Sequence, residues 1–174
     1  MLTLVTGGSG SGKSAFAEDR VLSFGDAQRI YIATMHPFDE ESHKRIERHQ
    51  KMRAGKGFET VECYTGLKNV KLPAGCVVLL ECMSNLTANE MFQGEEQVAE
   101  EIVAERILHG VAMLKGQVEH LVIVTNNVFE DGIVYEESTV KYIRAMGRIN
   151  EKLAEQADRV VEVVVGIPII VKEG

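Results

Sequence analysis

Tryptophan is absent from this chain of 174 residues, and cysteine and proline each occur only three times. The cysteines, Cys63, Cys76 and Cys82, are odd in number and form no Cys-x-x-Cys pair. This spacing argues against a disulfide framework and against a zinc site, and it favours reduced thiols in the cytoplasm. The first residues contain no basic segment or long apolar run, so no signal peptide is expected.

Long apolar runs and an excess of positive charge are also missing. The most apolar stretch, 160–171, contains a glutamate, a glycine and a proline and is too short to cross a bilayer, so no membrane insertion is expected. The formal net charge of −7 argues against a nucleic acid as partner, because a phosphate backbone binds a basic surface. The length and a hydrophobic content of 45% predict a single domain over residues 1–174.

Residues 7–14 match the phosphate-binding P-loop pattern G-x-x-x-x-G-K-[ST] at every fixed position. A buried strand is predicted over 2–6 and a helix over 14–22, which is the local structure that a P-loop requires. Lys13 would then reach the β- and γ-phosphates, and the Ser14 hydroxyl would bind Mg²⁺. The alternative is a glycine- and serine-rich turn that matches by chance. The nucleotide-binding residues predicted here are Gly7, Gly8, Ser9, Gly10, Ser11, Gly12, Lys13 and Ser14.

Strands and helices are expected to alternate along the rest of the chain. Apolar, β-branched runs predict strands over 30–33, 77–80, 121–124 and 160–165, with a last strand over 169–171. Helical patterns cover 95–114 and 138–157. The alternation predicts an α/β fold of the P-loop NTPase type, with a mostly parallel sheet flanked by helices and a short antiparallel pair at the C-terminus.

Polar residues follow several of these strands, where ligands bind to parallel sheets. They are Thr6, Thr34, Glu81, Thr125 and Asn126. A P-loop protein needs an acidic group on a neighbouring strand to hold Mg²⁺ or its water, so Glu81 and Ser14 are the predicted metal ligands. Aspartate is commoner at that position, and an ordinary strand-end carboxylate is the alternative interpretation of Glu81.

The segment 39–53 opens with acidic residues and ends with basic ones, as suits a helix and its dipole. Arg45, His49 and Arg53 recur every four residues and would share one face of that helix. Two guanidiniums beside an imidazole could hold phosphates while the His49 ring acts as a nucleophile. The residue types alone favour a solvated, charged helix.

Together these segments resemble the bifunctional adenosylcobinamide kinase / adenosylcobinamide-phosphate guanylyltransferase family of cobalamin biosynthesis. The resemblance covers nearly the whole chain. Beside the P-loop it rests on 31–34, 60–62, 79–82, 124–126 and 148–168, and above all on Arg45-Ile46 followed by His49 and Arg53. It implies that a nucleotide γ-phosphate passes to the aminopropanol hydroxyl of adenosylcobinamide. GTP would then guanylylate His49, and the GMP would pass to adenosylcobinamide phosphate.

The same resemblance implies the remaining site residues and partners. His49 and Lys13 would be catalytic, Mg²⁺ would be the cofactor, and GTP and ATP would be substrates. The family's P-loop domain forms a propeller-shaped homotrimer. Outside the P-loop, the implied nucleotide-binding residues are Ala33, Thr34, Met35, Gln50, Lys51, Met52, Arg53, Glu62 and Glu81.

The chain departs from the family pattern in three places. Gly10 replaces a usual arginine, no tryptophan lies near Phe58, and Thr125-Asn126-Asn127-Val128-Phe129 replaces T-N-E-V-G. These changes bear on the corrinoid pocket and the kinase reaction rather than on the sheet. Two alternatives stay open at this point. One is a P-loop kinase of another small alcohol, and the other is a nucleotide-binding regulatory protein without catalysis.

Overall fold

The computed structural model describes residues 1–94, 96–127 and 134–174. Strands and helices alternate over most of these ranges, and a 3-10 turn covers Leu67–Asn69. The strands are β1 (Leu2–Thr6), β2 (Arg29–Ala33), β3 (Phe58–Glu62), β4 (Val77–Glu81), β5 (His120–Val124), β6 (Arg159–Val164) and β7 (Ile167–Glu173). The helices are α1 (Lys13–Leu22), α2 (Glu40–Arg53), α3 (Met83–Met91), α4 (Glu100–Lys115) and α5 (Glu137–Gln156).

The strands form one sheet in the order β3-β2-β4-β5-β1-β6-β7. Every neighbouring pair is parallel except β6 and β7, which are antiparallel. The predicted α/β fold with an antiparallel C-terminal pair is therefore confirmed. Because β2, β4 and β5 run in register, Ala33 lies beside Glu81 and Glu81 lies beside Val124. The carboxyl ends of these strands thus meet at one edge.

Both faces of the sheet are buried, which explains the near-continuous apolar runs of the central strands. Side chains alternate between the faces along a strand. In β4, Val78 and Leu80 pack in a core with residues of α3, α4 and α5, whereas Val77 and Leu79 pack with residues of α1. Helix α2 belongs to neither core, because Arg53 is its one buried residue.

Three elements differ from the sequence-based expectation. Strand β3 and helix α3 were not predicted, and α4 begins at Glu100 rather than at 95. Residue 95 lies outside the described residues. Residues 96–99 are not helical, because the Val98 N–H donates to the Met91 carbonyl at 2.9 Å and holds this segment against the end of α3.

The C-terminal hairpin turns earlier than expected. The turn is Val165-Gly166, with φ values of 45° and 84°, rather than residues 166–168. Pro168 lies within β7 opposite Val163. An edge strand accepts proline, because its missing N–H need not pair with a further strand.

Within the ranges described, we find no helix with the length and apolar character needed to cross a membrane.

Candidate active site

The P-loop connects β1 to α1 at the carboxyl edge of the sheet. Gly7 has a φ of 152°, and a Cβ atom there would lie 2.5 Å from the Val163 carbonyl oxygen. No side chain fits at this position without displacing β6. The Ser11 carbonyl accepts a hydrogen bond from the Gly166 N–H at 2.8 Å. The β6–β7 turn therefore holds the P-loop backbone through a hydrogen bond.

Lys13 and Ser14 begin α1 and face the loop. The Lys13 Nζ atom donates to the Gly8 carbonyl at 3.0 Å. Burial lowers the pKa of Lys13, while the nearby Cys82 and Glu81 side chains act in the opposite direction. The Ser14 hydroxyl donates a short hydrogen bond to Glu81 Oε1. The first turn of α1 is thus joined directly to the end of β4.

Glu81 connects three elements of the site. Its side chain is 8% exposed, and His49 Nδ1 lies 3.8 Å from its Oε1 atom. The Tyr31 hydroxyl donates to Oε2 at 3.3 Å, and burial, followed by the Glu81 charge, raises the pKa of Tyr31. One carboxylate therefore faces the P-loop, strand β2 and helix α2.

Polar contacts cap the start of helix α2 and hold its end against the sheet. At its start the Asp39 carboxylate accepts from the Ser42 N–H at 2.7 Å, while Ser42 Oγ accepts from the Asp39 N–H at 3.0 Å. At its end the Arg53 guanidinium lies 3.4 Å above the centre of the Tyr31 ring. Because α2 adds no apolar residue to the core, this cation–π contact is a main anchor of its last turn.

Two cavities meet at His49. A wide cleft of about 860 Å³ is lined by residues 9–14 of the P-loop, together with Arg48, Met52 and Asn126. A smaller cavity of about 220 Å³ is also lined by His49. The residues bordering both cavities are Met35, His49, Glu81, Cys82 and Asn85.

The structure brings most of the expected nucleotide-binding residues to these two cavities. Those lining the smaller cavity are Ala33, Thr34, Met35, Gln50, Arg53, Glu62 and Glu81. Lys51 borders neither cavity. Arg45 and Arg53 were expected on one face of α2, yet they line different cavities. Arg45 lies at the wide cleft, where it pairs with Glu41, and Arg53 lines the smaller cavity.

Sequence reasoning missed several lining residues. Tyr31 lies mid-strand in an apolar run, so no local signal distinguished it from core. Cys82 and Asn85 directly follow Glu81, and their position after a strand could have indicated them. Of the expected strand-end residues, Asn126 borders the wide cleft, whereas Thr125 donates to Asn150 Oδ1 at 2.6 Å and is buried. Val128 and Phe129 lie outside the described residues.

Comparison with known proteins places this site in a family. The family model described as cobinamide kinase / cobinamide phosphate guanyltransferase matches residues 3–171. The bifunctional adenosylcobalamin biosynthesis proteins CobU of Salmonella typhimurium and of Escherichia coli are each 34% identical over 186 residues, covering 99% of this chain and all of the relative. The corresponding protein CobP of Pseudomonas aeruginosa is 26% identical over 174 residues, covering 99% of this chain and 98% of its own.

Solved structures share the fold. An ATPase from the type III secretion system of pathogenic bacteria superposes with a TM-score of 0.58 at 11% identity, covering 97% of this chain and 56% of that one. The flagellar accessory protein FlaH of Methanocaldococcus jannaschii gives 0.51 at 12% identity, covering 99% and 78%. These likenesses concern the fold alone. The family match from residue 3 to residue 171 takes in the P-loop, Glu81 and His49, and the chain belongs to the cobinamide kinase / cobinamide phosphate guanyltransferase family of transferases.

Proposed function

We propose that this protein phosphorylates adenosylcobinamide and then transfers GMP from GTP to adenosylcobinamide phosphate through a guanylylated His49. The family description names cobinamide and cobinamide phosphate. The adenosyl group of the acceptor and GTP as the donor follow from the family resemblance given above. The observation that carries the mechanism is the position of His49, which borders both the P-loop cleft and the smaller cavity and lies 3.8 Å from Glu81.

GTP can occupy both cavities at once. Its β- and γ-phosphates would bind the P-loop N–H groups and Lys13, while guanine would enter the smaller cavity. Guanine presents acceptors at O6 and N7 and a donor at N2. Arg53 and Glu62 offer the complementary donor and acceptor there. The α-phosphate would then lie beside His49.

Guanylyl transfer proceeds in two displacements. A ring nitrogen of His49 attacks the α-phosphorus, a P–N bond forms, the bond to the bridging oxygen breaks, and pyrophosphate leaves. Nδ1 lies 3.8 Å from Glu81 Oε1. This leaves Nε2 as the attacking atom, and the carboxylate would orient the ring when the two groups close to hydrogen-bond distance. Lys13 and the P-loop N–H groups stabilise the leaving pyrophosphate. A phosphate oxygen of adenosylcobinamide phosphate then attacks the same phosphorus, and the P–N bond breaks.

Phosphoryl transfer uses the wide cleft. The acceptor hydroxyl oxygen attacks the γ-phosphorus of ATP or GTP, the bond to the β–γ bridging oxygen breaks, and the hydroxyl proton is released. Lys13 stabilises the charge that develops on the β-phosphate. This step does not involve the His49 ring, so the two reactions use neighbouring parts of one site.

Ser14 and Glu81 fit a Mg²⁺ ion. They contribute a hydroxyl and a carboxylate that already lie in contact beside Lys13, and oxygen atoms are the ligands that Mg²⁺ prefers. The described ranges contain no group of three or more His, Cys, Asp or Glu side chains placed to hold a metal ion. This suits an ion bound partly by nucleotide phosphates. Bound there, Mg²⁺ would neutralise phosphate charge.

Strand β7 supports an association between copies of this chain, and the family resemblance supplies the number three. All its residues are exposed, including Ile167, Ile169, Ile170 and Val171, and it forms an edge of the sheet. Exposed apolar edge strands pair or become covered, and we propose further copies of this chain as the partners. Light scattering should give the wild type a mass three times that of one chain, and Ile169→Lys a smaller mass. A monomeric wild type would contradict the proposed trimer. All three cysteines are unpaired, which suits the cytoplasm.

The first experiment is intact-protein mass spectrometry after incubation with GTP and Mg²⁺. The wild type and His109→Ala, an exposed histidine on α4, should gain the mass of one GMP moiety, and His49→Ala should not. An adduct on His49→Ala would overturn the assignment of the nucleophile. The absence of any adduct from the wild type, with GTP binding intact, would refute the covalent mechanism and leave the kinase reaction alone.

A further inference from the structure

A third cavity opens beside the wide cleft and has no role in the reactions above. It is a groove of about 300 Å³ whose lining includes His36, Phe38 and Ser42. It shares Glu41, Arg45, Met35 and Asn85 with the wide cleft. The groove and the P-loop cleft are therefore adjacent, with these four residues between them.

The groove has an aromatic surface formed by stacked rings. The Phe38 ring is 78% exposed and stacks on His36, with ring centroids 4.2 Å apart and an interplanar angle of 21°. His36 in turn contacts the Tyr64 ring at 4.6 Å. The Asn89 amide holds the supporting backbone, because it donates to the Thr34 carbonyl at 2.8 Å and to the Tyr64 carbonyl at 2.9 Å. The exposed phenyl thus rests on a supported stack.

We infer that this groove binds the corrin ring of the acceptor, adenosylcobinamide or its phosphate. The inference rests on the proposed function, since that function supplies the acceptor. A corrin is a broad, flat, largely apolar ring with carboxamide groups at its edge, and such a face stacks on an aromatic side chain. The carboxylates of Asp39 and Glu41 line the same groove and can accept from the amide N–H groups. They also attract the positive charge of the cobalt centre.

The location explains how one bound acceptor serves two reactions. The aminopropanol arm of the acceptor must reach the γ-phosphate at Lys13 in the first reaction. In the second reaction its phosphate must reach the GMP on His49. Met35 and Asn85 border all three cavities. An arm that leaves the groove past these two residues enters the cleft that contains both Lys13 and His49. The ring can keep its place while the arm alone changes position.

Equilibrium dialysis with adenosylcobinamide tests this inference, with Phe38→Ala as the variant. Phe92→Ala is the matched control, because Phe92 is 49% exposed and lies outside the three cavities. We expect Phe38→Ala to raise the Kd for adenosylcobinamide about three- to tenfold, the range of an aromatic stacking contact. Phe38→Tyr should restore binding. GMP adduct formation from GTP should stay at the wild-type level in all three variants, because the groove does not hold the nucleotide.

The outcomes separate this inference from the proposed function. Equal Kd values for the wild type, Phe38→Ala and Phe92→Ala would overturn the corrin site, and so would a Phe38→Ala variant that loses affinity for GTP instead of the corrinoid. A wild type that forms no GMP adduct would refute the histidine mechanism, and the dialysis comparison would still decide what the groove binds.

Discussion

Replacing Glu81 by glutamine tests the centre of the site with a minimal change of shape. The carboxylate accepts from Ser14 and Tyr31 and faces His49 Nδ1 at 3.8 Å. Glutamine keeps one carbonyl acceptor for a hydroxyl donor but removes the negative charge. The substitution therefore separates the electrostatic role of Glu81 from its packing.

The size of the effect follows from what the charge contacts. His49 Nδ1 lies 3.8 Å from the carboxylate, a contact that would have to shorten in the reacting complex. A hydrogen bond to a charged group then contributes about 1.5–3 kcal/mol. At about 1.4 kcal/mol per tenfold, guanylylation of His49 should slow about 10- to 150-fold. Phosphoryl transfer should also slow, because Ser14 and Glu81 are the proposed ligands of Mg²⁺. The free energy of unfolding should change by less than about 1 kcal/mol, since removing a buried charge offsets the weakened hydrogen bonds.

Quench-flow mass spectrometry of the GMP adduct measures this rate, and urea denaturation measures stability. Glu59→Gln is a suitable control, because Glu59 is an exposed carboxylate on the edge strand β3, which β2 separates from β4. An adduct rate for Glu81→Gln within threefold of the wild type would refute the orienting role. A large loss of stability would show that Glu81 acts mainly in folding.

The other predictions concern stability. Glu18 is fully buried and pairs with Lys56 at 2.6 Å. Lys56→Ala should therefore lower the free energy of unfolding in urea by about 3 kcal/mol, and the double variant with Glu18→Gln should recover most of that loss. Equal losses of stability in the single and the double variant would argue against the pair. Gly147→Ala on α5, where a Cβ meets nothing within 4 Å, should raise that free energy by up to about 1 kcal/mol. The Leu2 N–H holds the pKa of Asp158 below its usual value. The carboxylate therefore stabilises the fold above about pH 4, and this stabilisation is lost as the pH falls further. Asp158→Asn should make the free energy of unfolding in urea less dependent on pH in this acidic range.

The fold was largely predictable because its central strands are buried on both faces. Strand β4 was expected over 77–80 and covers Val77–Glu81, all buried. Strand β3 was not predicted, because it lies at the edge of the sheet. There Glu59 and Thr60 are exposed and interrupt the apolar run. Helix α3 was not predicted for a different reason. Its buried face includes the polar residues Thr87 and Glu90, which interrupt the apolar period.

The site divides in the same way between local and long-range features. The P-loop and the strand-end position of Glu81 are local patterns, so the sequence predicts both. The spacing of Arg45, His49 and Arg53 predicts one helix face but not which cavity each residue meets. That depends on how α2 crosses the sheet edge, which the contact of Arg53 with Tyr31 fixes across 22 residues of chain.

The position of Glu81 explains why both reactions belong to one chain. A P-loop requires an acidic group at the end of a neighbouring strand, and a nucleophilic histidine requires an acceptor behind its ring. Here Oε1 of one carboxylate contacts the Ser14 hydroxyl and faces His49. Because β4 lies between β2 and β5 in the sheet, its end is the place from which one side chain reaches both the P-loop and α2. With the role proposed above for His49, helix α2 would add guanylyl transfer to a P-loop fold without a second acidic centre.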